Sequence, residues 1–235
     1  MDGVRLRQVV LLARELEPVS QRLRDELGLG EPFHDPGVGE FGLANAVYAL
    51  GDQFIEVISP TREGTAGGRW LERHGGDGGY MLIFQLDELA AARARAADLG
   101  VRVVWQIDLP DISGTHLHPS DTRGALISLD AARPPESWRW AGPGWEDRAA
   151  PGRVDGVTVG VREPGRVEQL WTDLLGARPP GVTFVPDEHE PGLTEVAVAV
   201  PGRSGTTEIG GVRFRLAGTI PADAAGPRTE REWSV

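Results

Sequence analysis

The chain has 235 residues, 40% of them hydrophobic and 25% charged, a globular balance with material for one large or two small domains. A net charge of -11 and a pI near 4.9 argue against a nucleic-acid partner, and no apolar run reaches the roughly 18 to 20 residues that a membrane span needs. With no cysteine, and with arginine supplying all 24 basic residues, disulfides, thiolate ligands, cysteine nucleophiles and side-chain Schiff bases are excluded.

The opening residues lack the basic-then-apolar layout of a secretory signal, so a cytoplasmic protein is expected. Residues 5–13 (RLRQVVLLA) read as an apolar strand. A helix follows over 15–30, with Val19, Leu23 and Leu27 at helical spacing and Gly28 as its stop. Strands at 45–51 and 53–60 meet across Gly51 and Asp52, which is hairpin chemistry. After a linker helix, the GGDGG run at 75–79 lacks phosphate-loop spacing and reads as a turn before a strand.

The layout then repeats: a strand at 80–86, a helix at 87–100, and strands around 101–107, 115–118 and 124–130. A Pro- and Gly-rich linker at 133–152 carries Trp138, Trp140 and Trp145. Such closely spaced aromatics are expected to be buried, pinning the segment across the sheet or a subunit contact, or else to wall a pocket mouth. A third pass opens with a strand at 153–161 and a helix at 165–177, whose Val167, Leu170, Trp171, Leu174 and Leu175 make an apolar face. Its strands are expected at 193–200 and 210–217, and residues 218–235 read as a frayed tail apart from Trp233.

The twice-used strand-helix-strands unit, with the wording LRQVVLLARELEPVSQRLRDELGL, DQFIEVISPTREGTAGGRWLERHGGDGGYMLIFQLDE and HLHPSDTRGALISLD, resembles the vicinal-oxygen-chelate (VOC) superfamily. Glyoxalases, bleomycin-resistance proteins and dioxygenases belong there, and the wording is nearest to methylmalonyl-CoA epimerase members. The resemblance implies an α+β fold in which residues 1–132 form two βαβββ modules with a cupped mixed sheet. A third, divergent βαβββ-like module would occupy 153–217. The resemblance also implies a divalent metal held by one ligand from the first and last strand of each module. Carried over by position, those places fall on Gln8, Glu56, Met81 and Ser128. A thioether and a neutral hydroxyl do not replace imidazole and carboxylate, so no metal is expected there, and Gly156 rebuilds no site in the third unit.

Strand alternation places Leu6, Gln8, Val10 and Leu12, then Phe54, Glu56 and Ile58, then Met81, Ile83 and Gln85, then Leu126 and Ser128, on the cup face. The expected cavity is mostly apolar with one carboxylate. Burial would raise the pKa of Glu56 and poise it as the catalytic acid or base, with Gln8, Tyr80, Met81 and Ser128 binding the ligand. A relocated metal on His116, His118 and Glu56 is the alternative, since two histidines two apart on a strand share a face. His34, His74 and His189 read as surface residues. Arg69, Arg73 and Arg123 read as solvated charge or as partners for a ligand carboxylate or phosphate, as in an acyl-CoA.

Two function classes stay open. One is a metal-independent enzyme of isomerase or lyase style, moving a proton on a small carbonyl or acyl compound. The other is a binding protein that sequesters a hydrophobic small molecule, as drug-resistance members do. A homodimer is expected, because the third module's edge and apolar face need a cover.

Overall fold

A computed structural model of the chain describes residues 3–188 and 192–218. His189, Trp233 and the tail from 219 onward lie outside the described residues. No described helix is long and apolar enough to cross a membrane.

The first module runs β1 (Val4–Leu12), α1 (Leu16–Leu27), β2 (Leu43–Leu50) and β3 (Gln53–Pro60). α1 buries Val19, Leu23 and Leu27 as their spacing requires, and Gly28 ends it at a φ of 70°, where a side chain would be strained. α2 (Ala66–His74) then leads into the second module: β4 (Gly78–Leu86), α3 (Leu89–Asp98), β5 (Val103–Asp108), β6 (Ile112–Leu117), the single-turn α4 (Pro119–Thr122) and β7 (Leu126–Ala132). β1 and β4 pair antiparallel at the centre, β3 and β7 flank them in parallel, and β2 on one side and β6 and β5 on the other complete the sheet. Residues of all seven strands line one cavity, so the sheet curls into a cup.

The third segment holds α5 (Trp145–Arg148), β8 (Arg153–Val161), α6 (Pro164–Leu175), β9 (Val182–Pro186), β10 (Gly192–Ala199), β11 (Gly205–Ile209) and β12 (Val212–Ala217). Its pairing is richer than one βαβββ unit. β8 and β10 form a central antiparallel pair, β9 lies parallel to β8, β12 parallel to β10, and β11 closes on β12. These relations copy those of β1, β4, β3 and β7, so residues 153–217 contain two shortened half-units sharing one helix. The strand expected at 193–200 is therefore the opening strand of a second half-unit.

The two sheets join at one residue pair, Leu193 opposite Gly79. Apolar side chains of the third segment, including Val157, Val159, Val196, Val198, Phe214 and Trp171, share a core with Leu11, Leu82, Phe84, Val19 and Leu23 on the convex side of the cup. The apolar face that was expected to need a second copy is thus covered within the chain. A separate apolar cluster fills the concave side, built from Val10, Leu12, Phe54, Met81, Ile83, Leu126, Trp138 and Trp145 among others.

Candidate functional site

Alternation along the strands places most of the expected cup residues correctly. The exception is Leu6, which lies in the convex core. A register shift between Leu6 and Gln8 breaks the period, and Arg7 takes the concave side. A second shift, between Val10 and Leu11, leaves Tyr80 without a partner on β1. Its ring packs edge-on against Trp70 at 5.5 Å and lines the cavity.

The tryptophan-bearing linker closes one end of the cup. Trp138 stacks on Phe54 at 5.9 Å, Trp145 meets Phe54 edge-on at 5.1 Å, and the Arg7 guanidinium sits over all three rings at 5.2 to 5.6 Å. Arg7 is fully buried, and burial lowers its pKa to about 10. Pro135 O accepts from Gln85 and Arg5, and Glu136 O accepts from Arg7, so the segment is bonded along its length. A 3-10 turn at Arg139–Ala141 follows Trp138 and carries Trp140.

Beyond this plug lies a cavity of about 450 Å³, walled largely by apolar and aromatic side chains. Glu56 sits on its floor with 7% exposure. Gln8 Nε2 donates to Glu56 Oε2 at 2.6 Å, and Asn45 Nδ2 donates to Oε1 at 2.7 Å. Both amides are fixed from behind by groups that can only donate: Trp138 Nε1 to Gln8 Oε1 at 2.7 Å, and the Asp35 backbone N–H to Asn45 Oδ1 at 2.8 Å. Burial pushes the Glu56 carboxyl up to about 7, against the lowering effect of the two amides, and Asp35 adds a repulsive charge.

A second buried carboxyl, Asp130, was not expected. It follows Ser128 by two residues on the same face of β7, accepts from the Ser128 hydroxyl and from Trp140 Nε1, the latter at 2.7 Å, and is raised to about 6 by burial. Ser128 and Asp130 are both buried and neither lines the cavity, so Ser128 is placed away from a ligand in the cup. Met81 and Tyr80 do line it. Asn45 and Trp138 were also missed as partners of the site. Asn45 alternates with Val47 and Ala49 on β2, which is the signal that would have found it.

The four positions where the family holds its metal do not fit one. Gln8 offers its NH2 to Glu56 and has its oxygen engaged by Trp138, Met81 presents a thioether, and the Ser128 hydroxyl serves Asp130. The relocated set fails geometrically. β6 ends at Leu117, so His116 lines the cup while His118 turns away as the N-cap of α4, its Nδ1 accepting from Ser120 N at 3.2 Å. Among the described residues no three His, Asp or Glu side chains are grouped to hold a metal. His34 bonds Asn45 O at 2.5 Å, and His74 stacks on Trp70 at 4.3 Å, so both are tied to residues around the cup. None of Arg69, Arg73 and Arg123 lines the cavity.

The profile of a family described as the glyoxalase-like domain matches residues 9–175. An ethylmalonyl-CoA/methylmalonyl-CoA epimerase of Cereibacter sphaeroides is 29% identical over 134 residues, 54% of this chain and 96% of the relative. A variant of Streptomyces coelicolor methylmalonyl-CoA epimerase, solved in complex with 2-nitronate-propionyl-CoA, has a TM-score of 0.50 and 25% identity, covering 58% of this chain and 100% of that one. Both likenesses span little more than half of this chain.

Proposed function

The chain belongs to the glyoxalase-like domain family of the VOC superfamily, and from that premise we propose that its cup binds a small carbonyl or acyl compound on which Glu56 moves a proton without a metal. The observation that carries this reading is the state of Glu56. It is a buried carboxyl on a cavity floor, held by two neutral amides and raised to about 7, where acid and base forms are both available at neutral pH. Similarity to epimerases over the cup supports a proton transfer in isomerase style.

In this reading the ionised Glu56 takes a proton from the carbon next to the ligand's carbonyl, and the electron pair of that C–H bond moves onto the carbonyl oxygen. The proton then returns from Glu56 to carbon. Gln8 and Asn45, which line the cavity beside Glu56, hold the carboxylate in place and favour its charged form. The Tyr80 hydroxyl, which lines the same cavity and is kept protonated by burial, suits the developing oxyanion. The plug of Trp138, Trp145 and Arg7 keeps water from the closed end of the cup.

The test is α-proton exchange in D2O, followed by proton NMR across a panel of enolisable ketones, keto acids and acyl thioesters. Wild type is expected to exchange at least one compound, and Glu56→Gln to lose the exchange while still binding it. Full turnover by Glu56→Gln would end the reading. The cavity's aromatic walls favour a second reading, sequestration of a hydrophobic compound. Tight binding with no exchange by either protein would select it.

A further inference from the structure

A chain of aromatic rings on β5, β6 and the segments before β2 and after β7 lines the same cavity as Glu56. Phe41 meets Trp105 edge-on at 5.7 Å, Trp105 lies 4.5 Å from the His116 ring, and Trp105 lies 6.4 Å from Trp140; all four line the cavity. The polar atoms of this wall are already used, with one exception. Trp105 Nε1 donates to Glu40 at 3.0 Å and Trp140 Nε1 to Asp130, so these indoles offer a ligand only their rings. The His116 ring makes no hydrogen bond to any described residue, and burial lowers its pKa to about 4. At neutral pH it is therefore an uncharged imidazole with one free donor and one free acceptor, facing the cavity.

Charge in the lining points the same way. Asp35, Glu40 and Glu56 are its acids, and its one arginine, Arg139, is paired with Asp111 at 2.9 Å. Arg139 is the single cation among the lining residues, is half exposed and is already engaged by Asp111, so a phosphate or a carboxylate drawn into the cup would meet three acids with little to offset its desolvation. A planar, neutral molecule meets no such penalty and gains by stacking on the rings.

We infer that the ligand of this cup is a flat, uncharged, unsaturated carbonyl compound, hydrogen-bonded by His116 and stacked on the Phe41–Trp105–Trp140 wall, rather than a phosphate-bearing thioester. This rests on the proton-transfer reading of Glu56 for its orientation, with the carbonyl at His116 and Tyr80 and the acidic C–H toward Glu56. It adds His116 as a ligand-contacting residue and separates this chain from the thioester named for its relatives.

The probe is 2-tetralone, an uncharged ketone whose carbonyl ring is fused to a flat benzene ring and carries exchangeable protons on both sides of the carbonyl, set against propionyl-CoA. Binding is read by quenching of tryptophan fluorescence, and chemistry by α-proton exchange in D2O. Wild type is expected to saturate with 2-tetralone and not with propionyl-CoA. His116→Phe, which keeps a ring against Trp105, should weaken 2-tetralone roughly tenfold, the upper end for one lost hydrogen bond, and His116→Gln should recover part of that loss. The inference is overturned if 2-tetralone fails to saturate, if propionyl-CoA binds more tightly, or if His116→Phe binds 2-tetralone as wild type does. Binding of 2-tetralone through His116 without exchange upholds the inference and counts against proton transfer by Glu56, so the two readings fail separately.

Discussion

The indole N–H of Trp138 reaches Gln8 Oε1 at 2.7 Å, and that bond decides which end of the Gln8 amide faces Glu56. An indole nitrogen can only donate, so the amide oxygen must turn toward it and the NH2 toward the carboxylate. A residue 130 positions away in sequence thereby sets the polarity of the cup floor. Trp138→Phe removes the donor and keeps the ring stack on Phe54. Gln8 is then free to turn its oxygen to a protonated Glu56, so the pKa of Glu56 should rise further. Whichever end of the buried Gln8 amide then faces the missing indole is left unpaired, which should also cost about 1–3 kcal/mol of stability. Urea denaturation reads the second effect and carbon-13 NMR of labelled glutamate the first. An unmoved Glu56 titration would show that the indole only fills space.

The cup's titrating groups make an unusual prediction for stability against pH. Burial raises Glu56 to about 7 from 4.5 and Asp130 to about 6 from 3.8, so the folded state keeps protons that the unfolded chain releases. The stability they lend is present below the unfolded values and lost as pH rises through the folded ones. His116 acts oppositely: its folded value of about 4 lies below 6.5, so its contribution is lost as pH falls across that interval. Two carboxyls outweigh one imidazole, and their contribution makes stability decline between about pH 4 and 7. Replacing both acids (Glu56→Gln with Asp130→Asn) leaves His116 dominant, and the pH slope should turn upward relative to wild type. Urea midpoints at several pH values compare the two proteins; parallel profiles would contradict the assignment.

The periodic parts of the structure were legible because periodicity is what burial on one face imposes. α1, β1, β3, β4, β8 and α6 fall within a few residues of their expected places, and Glu56, singled out by the family resemblance, was put on the cup face by alternation along β3. What escaped lies where the period breaks. The irregularity at Arg7 inserts one residue, which moves Leu6 to the convex side without leaving a mark in the hydrophobic pattern. Pro119 stops β6 one residue before His118, so the apparent His-x-His face does not exist. Asp130 had the parity of Ser128, yet a carboxylate before AARPP reads as a strand end meeting solvent. The burial of the linker tryptophans was foreseeable from their size, but their partners Gln8 and Asp130 were not, since no local pattern encodes a contact across 130 residues. β10 had a clear strand pattern, but which strand it pairs with is a long-range choice.

The junction of the two sheets gives a sharper test of how the third segment belongs to the fold. A Cβ at Gly79 would stand 2.5 Å from both the Cβ and the backbone O of Leu193, closer than any real contact. Gly79→Ala must therefore push β10 away from β4 or distort the bulge beside Tyr80, at about 1–3 kcal/mol. Since Tyr80 is the next residue, the substitution should also weaken ligand binding in the cup. A variant with wild-type stability, by thermal melting, would mean that the two sheets do not meet there.

Trp171 tests the convex core directly. It is fully buried on α6, meets Phe84 of β4 edge-on at 6.2 Å and Phe184 of β9 at 5.0 Å, and donates its indole N–H to Thr122 O at 2.8 Å, next to the left-handed Arg123 that ends α4. One side chain therefore ties the third segment to the back of the cup and to the turn that precedes β7. Trp171→Ala removes the ring and orphans a carbonyl, and should cost about 3–5 kcal/mol. Trp171→Phe keeps most of the ring contact and loses the hydrogen bond, so about 1–2 kcal/mol is expected from it. If the segment were an independent appendage, Trp171→Ala would leave unfolding of residues 1–132 unchanged. If the core is shared, as the packing of Trp171 on Phe84 requires, the whole chain should unfold in one transition shifted to lower denaturant, and hydrogen exchange of β4 amides should accelerate together with those of β8.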